Sequence, residues 1–99
     1  MAKYQISRKA GQDLEDIWNY TMTEWSESQA DIDYRALIRS FEDIARHPAL
    51  FDREYSGIHA GLYCHRCRKH LIFYTVNDSD EVVIWRVLHE RMDIDSKFQ

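Results

Sequence analysis

Apolar and polar side chains follow two different periods along this chain, and the clearest β-type stretch lies between residues 62 and 88. Residues 62–67 alternate apolar or aromatic side chains with polar ones, whereas residues 71–76 and 82–88 are rich in β-branched and aromatic side chains. The Asn-Asp-Ser-Asp run at 77–80 is typical of a turn. The pattern predicts three consecutive antiparallel strands. Since residues 71–76 (LIFYTV) are apolar on nearly every position, we expect that strand to be central in a sheet covered on both faces.

Apolar residues recur at three- and four-residue steps in the segment that follows Ser7, which predicts an amphipathic helix from residue 8 to about 25. Ser7 is a suitable N-cap, because its hydroxyl can accept from a free backbone N–H of the first turn. Trp18 and Trp25 lie on the apolar stripe and are predicted to be core residues. Residues 3–7 alternate before this helix and predict a short first strand.

A second helix is predicted to begin after Ser26. Ser26 and Gln29 have the spacing of a capping box, in which each side chain bonds the other's backbone N–H. Pro48 disfavours helical conformation at His47 and should end the helix there. The connection between the two helices is so short that we expect an antiparallel helical hairpin.

The element order is therefore β-α-α-β-β-β, an α+β fold in which the helical hairpin packs on a mainly antiparallel sheet in two layers. The length of 99 residues predicts a single domain spanning 1–99. Residues 48–58 have no period and are interpreted as a surface connection whose Leu50, Phe51 and Tyr55 turn inward. The last residues predict a short helix that starts near Glu90.

Composition and charge exclude several classes of protein. No apolar run approaches the roughly 20 residues that a membrane span requires, and the N-terminus lacks a signal-peptide core, so a cytoplasmic protein without a membrane partner is expected. The formal net charge is −4, with acidic residues concentrated in the helical half and a mild basic excess in the strand half. A protein that coats nucleic acid would carry a strong basic excess.

Cys64 and Cys67 form a C-x-x-C motif, which raises the question of a metal or redox site. On a strand, residues three apart point to opposite faces and lie about 10 Å apart, too far for a disulfide. No second pair of cysteines completes a tetrahedral zinc site. We therefore predict two unpaired cysteines, one buried and one half-exposed, and neither a metal nor a cofactor.

Basic residues gather in two places that adjacent strands would bring together. Arg66 and Arg68 lie at the turn after the first of the three strands, with Lys69 and His70 beside them, and Arg86, His89 and Arg91 lie along and after the last strand. Such a group could bind phosphates and move protons, or it could be a solvated sheet face paired with the acidic helices. Arg86 interrupts an apolar strand, where its head would need hydrogen-bond partners.

Four segments of the chain resemble the ParE branch of the RelE/ParE toxin superfamily. They are the opening KYQISRKAGQDLEDIWNYT, the helix end ARHPALF, the strand region GLYCHRCRKHLIFYTV and the close VVIWRVLHERMD. The most specific pieces are LIFYTV at 71–76 and RVLHERMD at 86–93. The resemblance covers nearly the whole chain and implies a fold with the same element order.

What this resemblance implies is the toxin of a bacterial type II toxin–antitoxin system, neutralised by a small cognate antitoxin whose C-terminal segment folds onto it. ParE members are held to act on DNA gyrase, and RelE members to cut mRNA on the ribosome. The acidic net charge and the tail DIDSKFQ, which has no Tyr, favour the gyrase-binding role, because a nuclease among phosphates benefits from positive charge. Arg86, His89 and Arg91 are then the predicted target-binding residues.

Two alternatives stay open. One is a RelE-like, ribosome-dependent mRNA interferase, an endoribonuclease whose active surface would contain basic residues of both sets: Arg66, Arg68, Arg86, His89 and Arg91. Whether the chain is an enzyme is therefore not decided by its sequence. The other alternative is an interaction module that has kept the fold and lost toxicity.

The predicted antitoxin site is an apolar groove beside the helical hairpin. Leu14, Trp18, Tyr34 and Leu37 belong to the stripes that would line its helical wall. An amphipathic antitoxin segment would occupy it as a helix in a groove or as an added strand.

Overall fold

A five-stranded sheet and three helices make up the part of the chain that the computed structural model describes, residues 4–50 and 52–98. The strands are β1 (Tyr4–Ile6), β2 (Arg53–Glu54), β3 (Tyr63–Cys67), β4 (His70–Val76) and β5 (Val82–His89). The helices are α1 (Arg8–Glu24), α2 (Glu27–Arg46) and α3 (Ile94–Lys97). The predicted α+β class, with a helical hairpin on a mainly antiparallel sheet, is confirmed.

The strand order β1-β5-β4-β3-β2 places β4 in the centre, as its continuous apolar run predicted. β1 pairs with β5 in parallel, and the other three pairings are antiparallel. The β4–β5 ladder is interrupted, because Tyr74 faces Ile84 and Phe73 faces Arg86, which leaves Trp85 as an extra residue. The bulge interrupts the in-and-out alternation of side chains along β5. The Arg86 side chain therefore leaves the strand in a direction that regular alternation would not give it.

Serine caps fix where both long helices begin. The Ser7 hydroxyl accepts from the Ala10 N–H at 3.0 Å and donates to the Trp85 carbonyl at 2.8 Å, which ties the start of α1 to the bulge. The Ser26 hydroxyl accepts from the Gln29 N–H at 3.0 Å. The reciprocal half of the predicted capping box is wrong, because the Ser26 N–H donates to the Thr21 carbonyl at 3.2 Å. The Gln29 amide instead donates to Asp33 at 2.9 Å.

Both faces of the sheet are covered. The hairpin face holds the larger core, formed by Ala10, Leu14, Leu37, Phe41, Ile44, Ile72, Tyr74, Val82, Ile84 and Val87. On the second face a smaller cluster of Leu62, Cys64, Phe73 and Leu88 lies beneath Tyr55, Ile58, Ile94 and Phe98. The second cover therefore comes from the connection before β3 and from the C-terminal segment.

Three expectations about irregular segments need correction. The connection 48–58 contains a short strand, β2. Its backbone groups pair with β3, so β2 forms the outer strand of the sheet on that side. Tyr55 packs inward as predicted, but Leu50 is exposed. The terminal helix begins at Ile94, since residues 90–92 form a turn in which the Met92 N–H donates to the His89 carbonyl. Predictions for Lys3 and Phe51 lie outside the described residues.

The prediction that Trp25 belongs to the core is wrong, because its side chain is 75% exposed. Trp25 is the C-cap of α1, with φ −125° and ψ −83°, so the helical period no longer applies to it. Trp18, within the helix, is half-buried as its position on the stripe implied.

Cys64 and Cys67 are both unpaired thiols on opposite faces of β3, as strand alternation required. Cys64 is buried in the second-face cluster, while Cys67 is half-buried against the larger core. Burial, with a smaller contribution from the Asp52 carboxylate, raises the pKa of the Cys64 thiol to about 11. The thiol is therefore protonated and slow to react near neutral pH.

Candidate functional site

A shallow hollow of about 380 Å³ opens where the flank of α1 meets β1 and α2. We call it the hairpin groove. Its lining residues are Ile6, Gly11, Leu14, Glu15, Trp18, Asn19 and Tyr34. Gly11 contributes no side chain, and a Cβ atom there would meet nothing within 4 Å, so the groove is open at this point.

Three of the four residues predicted to bind an antitoxin line the hairpin groove, namely Leu14, Trp18 and Tyr34. Leu37 does not, because it is 1% exposed and lies in the larger core. Tyr34 and Leu37 both satisfy the apolar period of α2, so the sequence could not separate the wall of the groove from the core behind it. Sequence reasoning missed Ile6 because it lies on β1 and not on a helix. It missed Gly11 because glycine carries no apolar side chain.

The free edge of the sheet borders this groove. β1 pairs with β5 alone, and within the described residues no strand lies on its other side. The Ser7 N–H donates to the Ile84 carbonyl at 2.9 Å, which faces β5. Because successive residues of a strand alternate their backbone groups, those of Tyr4 and Ile6 point toward the open edge. An apolar hollow thus lies beside backbone donors and acceptors that an added segment could pair.

The basic residues of β3–β4 and of β5 do meet at one end of the sheet, as predicted. His70 and His89 are directly opposite in the β4–β5 ladder, with ring centroids 5.6 Å apart and an interplanar angle of 86°. The Glu90 N–H donates to the Lys69 carbonyl at 2.9 Å, which joins the β3–β4 turn to the end of β5. We call this region the basic end.

Acidic partners neutralise part of the basic end. Arg66 forms an ion pair with Glu90, and Arg68 Nη1 lies 3.3 Å from the Asp33 carboxylate of α2. Lys69 and Arg91 are exposed and have no ion pair among the residues described. These two are therefore the exposed cations of the basic end that no described carboxylate pairs with.

The two histidines of the basic end have different surroundings. His89 Nδ1 accepts from the Arg91 N–H at 3.1 Å, so the neutral ring carries its proton on Nε2. Burial lowers the pKa of His70, and the neighbouring His89 lowers it further. His70 is consequently harder to protonate near neutral pH than an ordinary histidine.

Arg86 lies apart from His89 and Arg91 in its contacts. Its Nε and Nη2 donate to the Asp13 carboxylate of α1 at 2.8 and 2.9 Å, and its Nη1 donates to the Lys97 carbonyl of α3 at 2.7 Å. The side chains of Arg86 and Asp13 are only 15% and 12% exposed. The hydrogen bond to Asp13 raises the pKa of Arg86. The expectation that the head of Arg86 would need hydrogen-bond partners is confirmed.

A buried polar network, which sequence reasoning missed, lies under the connection between α2 and β2. The Asp52 carboxylate accepts from the Tyr74 hydroxyl and is 2.9 Å from His65 Nδ1. The Tyr74 oxygen in turn accepts from the Ala49 N–H at 2.9 Å. Burial and the Asp52 carboxylate raise the pKa of Tyr74. The partners are far apart in sequence and follow no motif, so only the fold identifies them.

The described residues contain neither a metal-binding cluster nor a helix that could cross a membrane. In residues 4–50 and 52–98, no three or more His, Cys, Asp or Glu side chains are arranged to hold a metal ion. The helices found in those same ranges are too short or too polar to span a bilayer.

A helical hairpin packed on a five-stranded sheet is the arrangement of the RelE/ParE fold, and this defines the structural class of the protein. It is similar to a structure titled "Chromosomal ParDE TA system from P. aeruginosa", with a TM-score of 0.76 and 15% identity over 90% of this chain and 96% of that one. It is also similar to a chain of the toxin–antitoxin complex RelBE2 from Mycobacterium tuberculosis, with a TM-score of 0.62 and 22% identity over 89% and 96%. At these identities the likeness shows the fold alone.

Sequence comparison identifies the family within that class. Residues 4–94 match the model of the ParE toxin of type II toxin–antitoxin system, parDE. Toxin ParE1 of Caulobacter vibrioides is 36% identical over 94% of each chain, and Toxin ParE1 of Mycobacterium tuberculosis is 32% identical over 95% of each. The chain therefore belongs to the ParE toxin family of type II toxin–antitoxin systems, and the predicted resemblance is confirmed.

Proposed function

We propose that this member of the ParE toxin family acts in the bacterial cytoplasm by binding DNA gyrase, and that a cognate antitoxin neutralises it. The single observation that carries the choice of a protein target is the position of the Arg86 guanidinium. Three of its donors are engaged by Asp13 and by the Lys97 carbonyl. A nuclease needs such a group free to meet a phosphate.

The remaining charges support the same choice. Arg66 and Arg68 are paired with Glu90 and Asp33, and the chain as a whole carries a formal net charge of −4. An RNA-cutting protein on the ribosome works in a field of phosphates, where net negative charge opposes binding. A protein surface that contains acidic and apolar groups has no such requirement.

The decisive experiment is a supercoiling assay with purified gyrase and antitoxin-free protein. We expect inhibition of supercoiling and accumulation of cleaved DNA, both reversed when the antitoxin is added in equal amount. Unchanged supercoiling with no cleaved DNA, at a concentration of protein that arrests growth in cells, would exclude gyrase as the target.

His89 and Arg91 remain our proposed target contacts at the basic end, whereas the Arg86 guanidinium is held by Asp13 and the Lys97 carbonyl. Arg86 is a poor probe, because its replacement would disturb Asp13 and the C-terminal segment as well. Arg91→Glu is the sharper variant, since Arg91 is exposed. Arg39→Glu, an exposed position on α2, makes the same charge change elsewhere. We expect loss of gyrase inhibition in the first variant and its retention in the second. Equal activity of both would remove the basic end from the target surface.

The antitoxin is proposed to place an amphipathic segment in the hairpin groove and along the free edge of β1. Trp18 and Tyr34 provide most of the apolar surface, since Leu14 is only 7% exposed at the base of the groove, and the outward backbone groups of Ile6 can pair with an extended segment. This arrangement combines helix-in-groove binding with strand addition. Removing the C-terminal half of the antitoxin should abolish the complex, and tight binding of the truncated antitoxin would refute this mode.

The second candidate function, an mRNA interferase, is favoured by one observation. His70 and His89 are juxtaposed at 5.6 Å between ring centroids, close to the Lys69–Glu90 contact. Two imidazoles beside a lysine can bind a phosphate and move a proton. Primer extension on mRNA that is being translated tests this function, and the appearance of new 5′ ends that depend on His89 would replace the gyrase proposal.

The third candidate, a non-toxic interaction module, is tested by expression without the antitoxin. We expect growth arrest for a toxin. Normal growth, with the protein shown to be soluble and folded, would favour the module.

A further inference from the structure

The C-terminal segment covers the second face of the sheet with very few contacts. α3 has only four residues, and its N-cap Asp93 makes no side-chain capping bond. Asp95, Ser96 and Lys97 are exposed, whereas Ile94 and Phe98 pack against the second-face cluster. A helix of one turn is not stable by itself, so its position depends on these two side chains and on any bond to the rest of the fold.

One such bond comes from Arg86. Its Nη1 donates to the Lys97 carbonyl at 2.7 Å, at the end of α3, where backbone carbonyls have no partner within the helix. The same guanidinium is held on its other side by Asp13, through Nε and Nη2. Asp13 in turn accepts from the Val87 N–H at 3.0 Å, so it is anchored to β5. The end of α3 is thus connected to α1 and β5 through one side chain.

The surface beneath the segment is apolar. The ring of Phe98 lies 5.1 Å from that of Phe73, at an interplanar angle of 74°. Leu62, Cys64, Phe73 and Leu88 form the cluster under it, and each is at most 8% exposed. Tyr55 and Ile58 cover the same cluster from the other side. Displacement of the segment would therefore uncover one side of an apolar cluster that contains the Cys64 thiol.

We propose that residues 94–98 form a lid over the second face of the sheet, held closed by the bond from Arg86 to the Lys97 carbonyl, and that this lid opens while the rest of the fold stays intact. Asp13 positions Arg86 for that bond. The lid is distinct from the hairpin groove, which lies on the opposite face of the sheet. The proposal is independent of gyrase as the target and would survive its exclusion.

The two cysteines supply a direct measurement of lid opening in the full-length protein. Cys64 belongs to the cluster that the lid covers together with Tyr55 and Ile58, whereas Cys67 lies on the other face of the sheet. N-ethylmaleimide labelling followed by mass spectrometry gives a separate rate for each thiol. Lid opening raises the rate at Cys64 alone, while global unfolding raises both rates together.

Phe98→Ala removes an apolar anchor of the lid, and Arg86→Lys removes the planar fork that joins Asp13 to the Lys97 carbonyl. We expect each variant to raise the labelling rate of Cys64 at least tenfold. In Phe98→Ala, which keeps the Asp13–Arg86 pair, the rate at Cys67 should change less than twofold. Lys97→Ala is the matched control, because it alters an exposed side chain of the lid and keeps its backbone carbonyl. We expect that variant to label like the unmodified protein.

Two results would overturn the lid. The first is an unchanged Cys64 rate in both Phe98→Ala and Arg86→Lys. The second is an equal rise at Cys64 and Cys67 in Phe98→Ala, which would mean that the segment is released only when the whole protein unfolds. Since Phe98→Ala leaves the Asp13–Arg86 pair untouched, it keeps the test valid even where Arg86→Lys fails to fold.

Discussion

The Asp13 carboxylate of α1 holds the Arg86 guanidinium of β5 through two hydrogen bonds, from Nε at 2.8 Å and from Nη2 at 2.9 Å. The same carboxylate accepts from the Val87 N–H. It thereby satisfies a backbone donor of β5 beyond the residues of that strand that pair with β1. One acidic residue thereby joins a helix to the sheet and fixes the direction of an arginine that the sequence placed inside an apolar strand.

Asp13→Asn should lower the free energy of unfolding by about 2–3 kcal/mol, because it leaves a mostly buried guanidinium without its counter-charge. Asp16→Asn is the matched control on the same helix, since Asp16 is exposed and receives one hydrogen bond from Gln12. We expect the control to change stability by less than about 0.5 kcal/mol. Urea denaturation followed by circular dichroism measures both, and equal stability of the two variants would contradict the role given to Asp13.

The Tyr74 hydroxyl links the connection after α2 to the centre of the sheet. Tyr74→Phe removes a donor to the nearly buried Asp52 carboxylate and an acceptor for the Ala49 N–H. We expect a loss of about 1–3 kcal/mol, the usual cost of leaving buried polar groups unpaired. Tyr63→Phe is the control, because its ring stacks on Tyr74 at 5.7 Å and stays in place without the hydroxyl. A thermal melt in which Tyr74→Phe is as stable as Tyr63→Phe would show that the network contributes nothing.

His70 should make the protein less stable in mild acid. Its pKa is lowered below the ordinary value of 6.5, first by burial and then by His89, so the unfolded chain binds this proton more readily than the folded one. The contribution of neutral His70 to the free energy of unfolding is complete above pH 6.5. It is lost as the pH falls from 6.5 toward the lower pKa of His70 in the folded state.

His70→Gln should therefore flatten the decline in unfolding free energy between about pH 7 and pH 5. His47→Gln, an exposed position at the end of α2, should leave the decline as it is in the unmodified protein. Urea denaturation at several pH values makes the comparison. The interpretation fails if both variants keep the same slope.

Two exposed tyrosines test the hairpin groove. Tyr34 lines it and is 43% exposed, while Tyr20 is 65% exposed on α1 and lies outside it. Tyr34→Ala should weaken antitoxin binding by roughly 10–100-fold, because aromatic anchors in apolar pockets carry much of an interface's energy. Tyr20→Ala should change the affinity by less than about twofold, within the range typical of peripheral contacts. Calorimetric titration with the cognate antitoxin gives both constants, and a reversed order would place the antitoxin elsewhere.

Local sequence patterns predicted the structure correctly wherever a single helix or strand determined the feature in question. Ser7 and Ser26 cap helices that begin where the apolar period begins, and Pro48 follows the end of α2 by two residues. The continuous apolar run of β4 placed it in the sheet centre. Short-range signals failed where an element was too short to have a period, as for β2, or where a residue lay just past a helix end, as for Trp25.

The site depended more on long-range contacts. The sequence brought the basic residues of two strands to one end of the sheet, because antiparallel neighbours with a known turn have a predictable register. It could not separate Leu37 in the core from Tyr34 in the groove, since both follow the same helical stripe. It also could not pair Asp13 with Arg86 or Asp52 with Tyr74, because those partners are 73 and 22 residues apart.

By itself, then, the sequence determined the element order, the caps, the central strand and the family, since each of these depends on neighbouring residues or on a pattern along the chain. Only the tertiary structure decided that a bulge at Trp85 turns Arg86 toward Asp13, and that β1 has no neighbouring strand, among the described residues, on the side of the apolar groove. The physical reason is that hydrogen bonds and burial are decided by which surfaces meet, and that meeting is a property of the packed sheet and helices together.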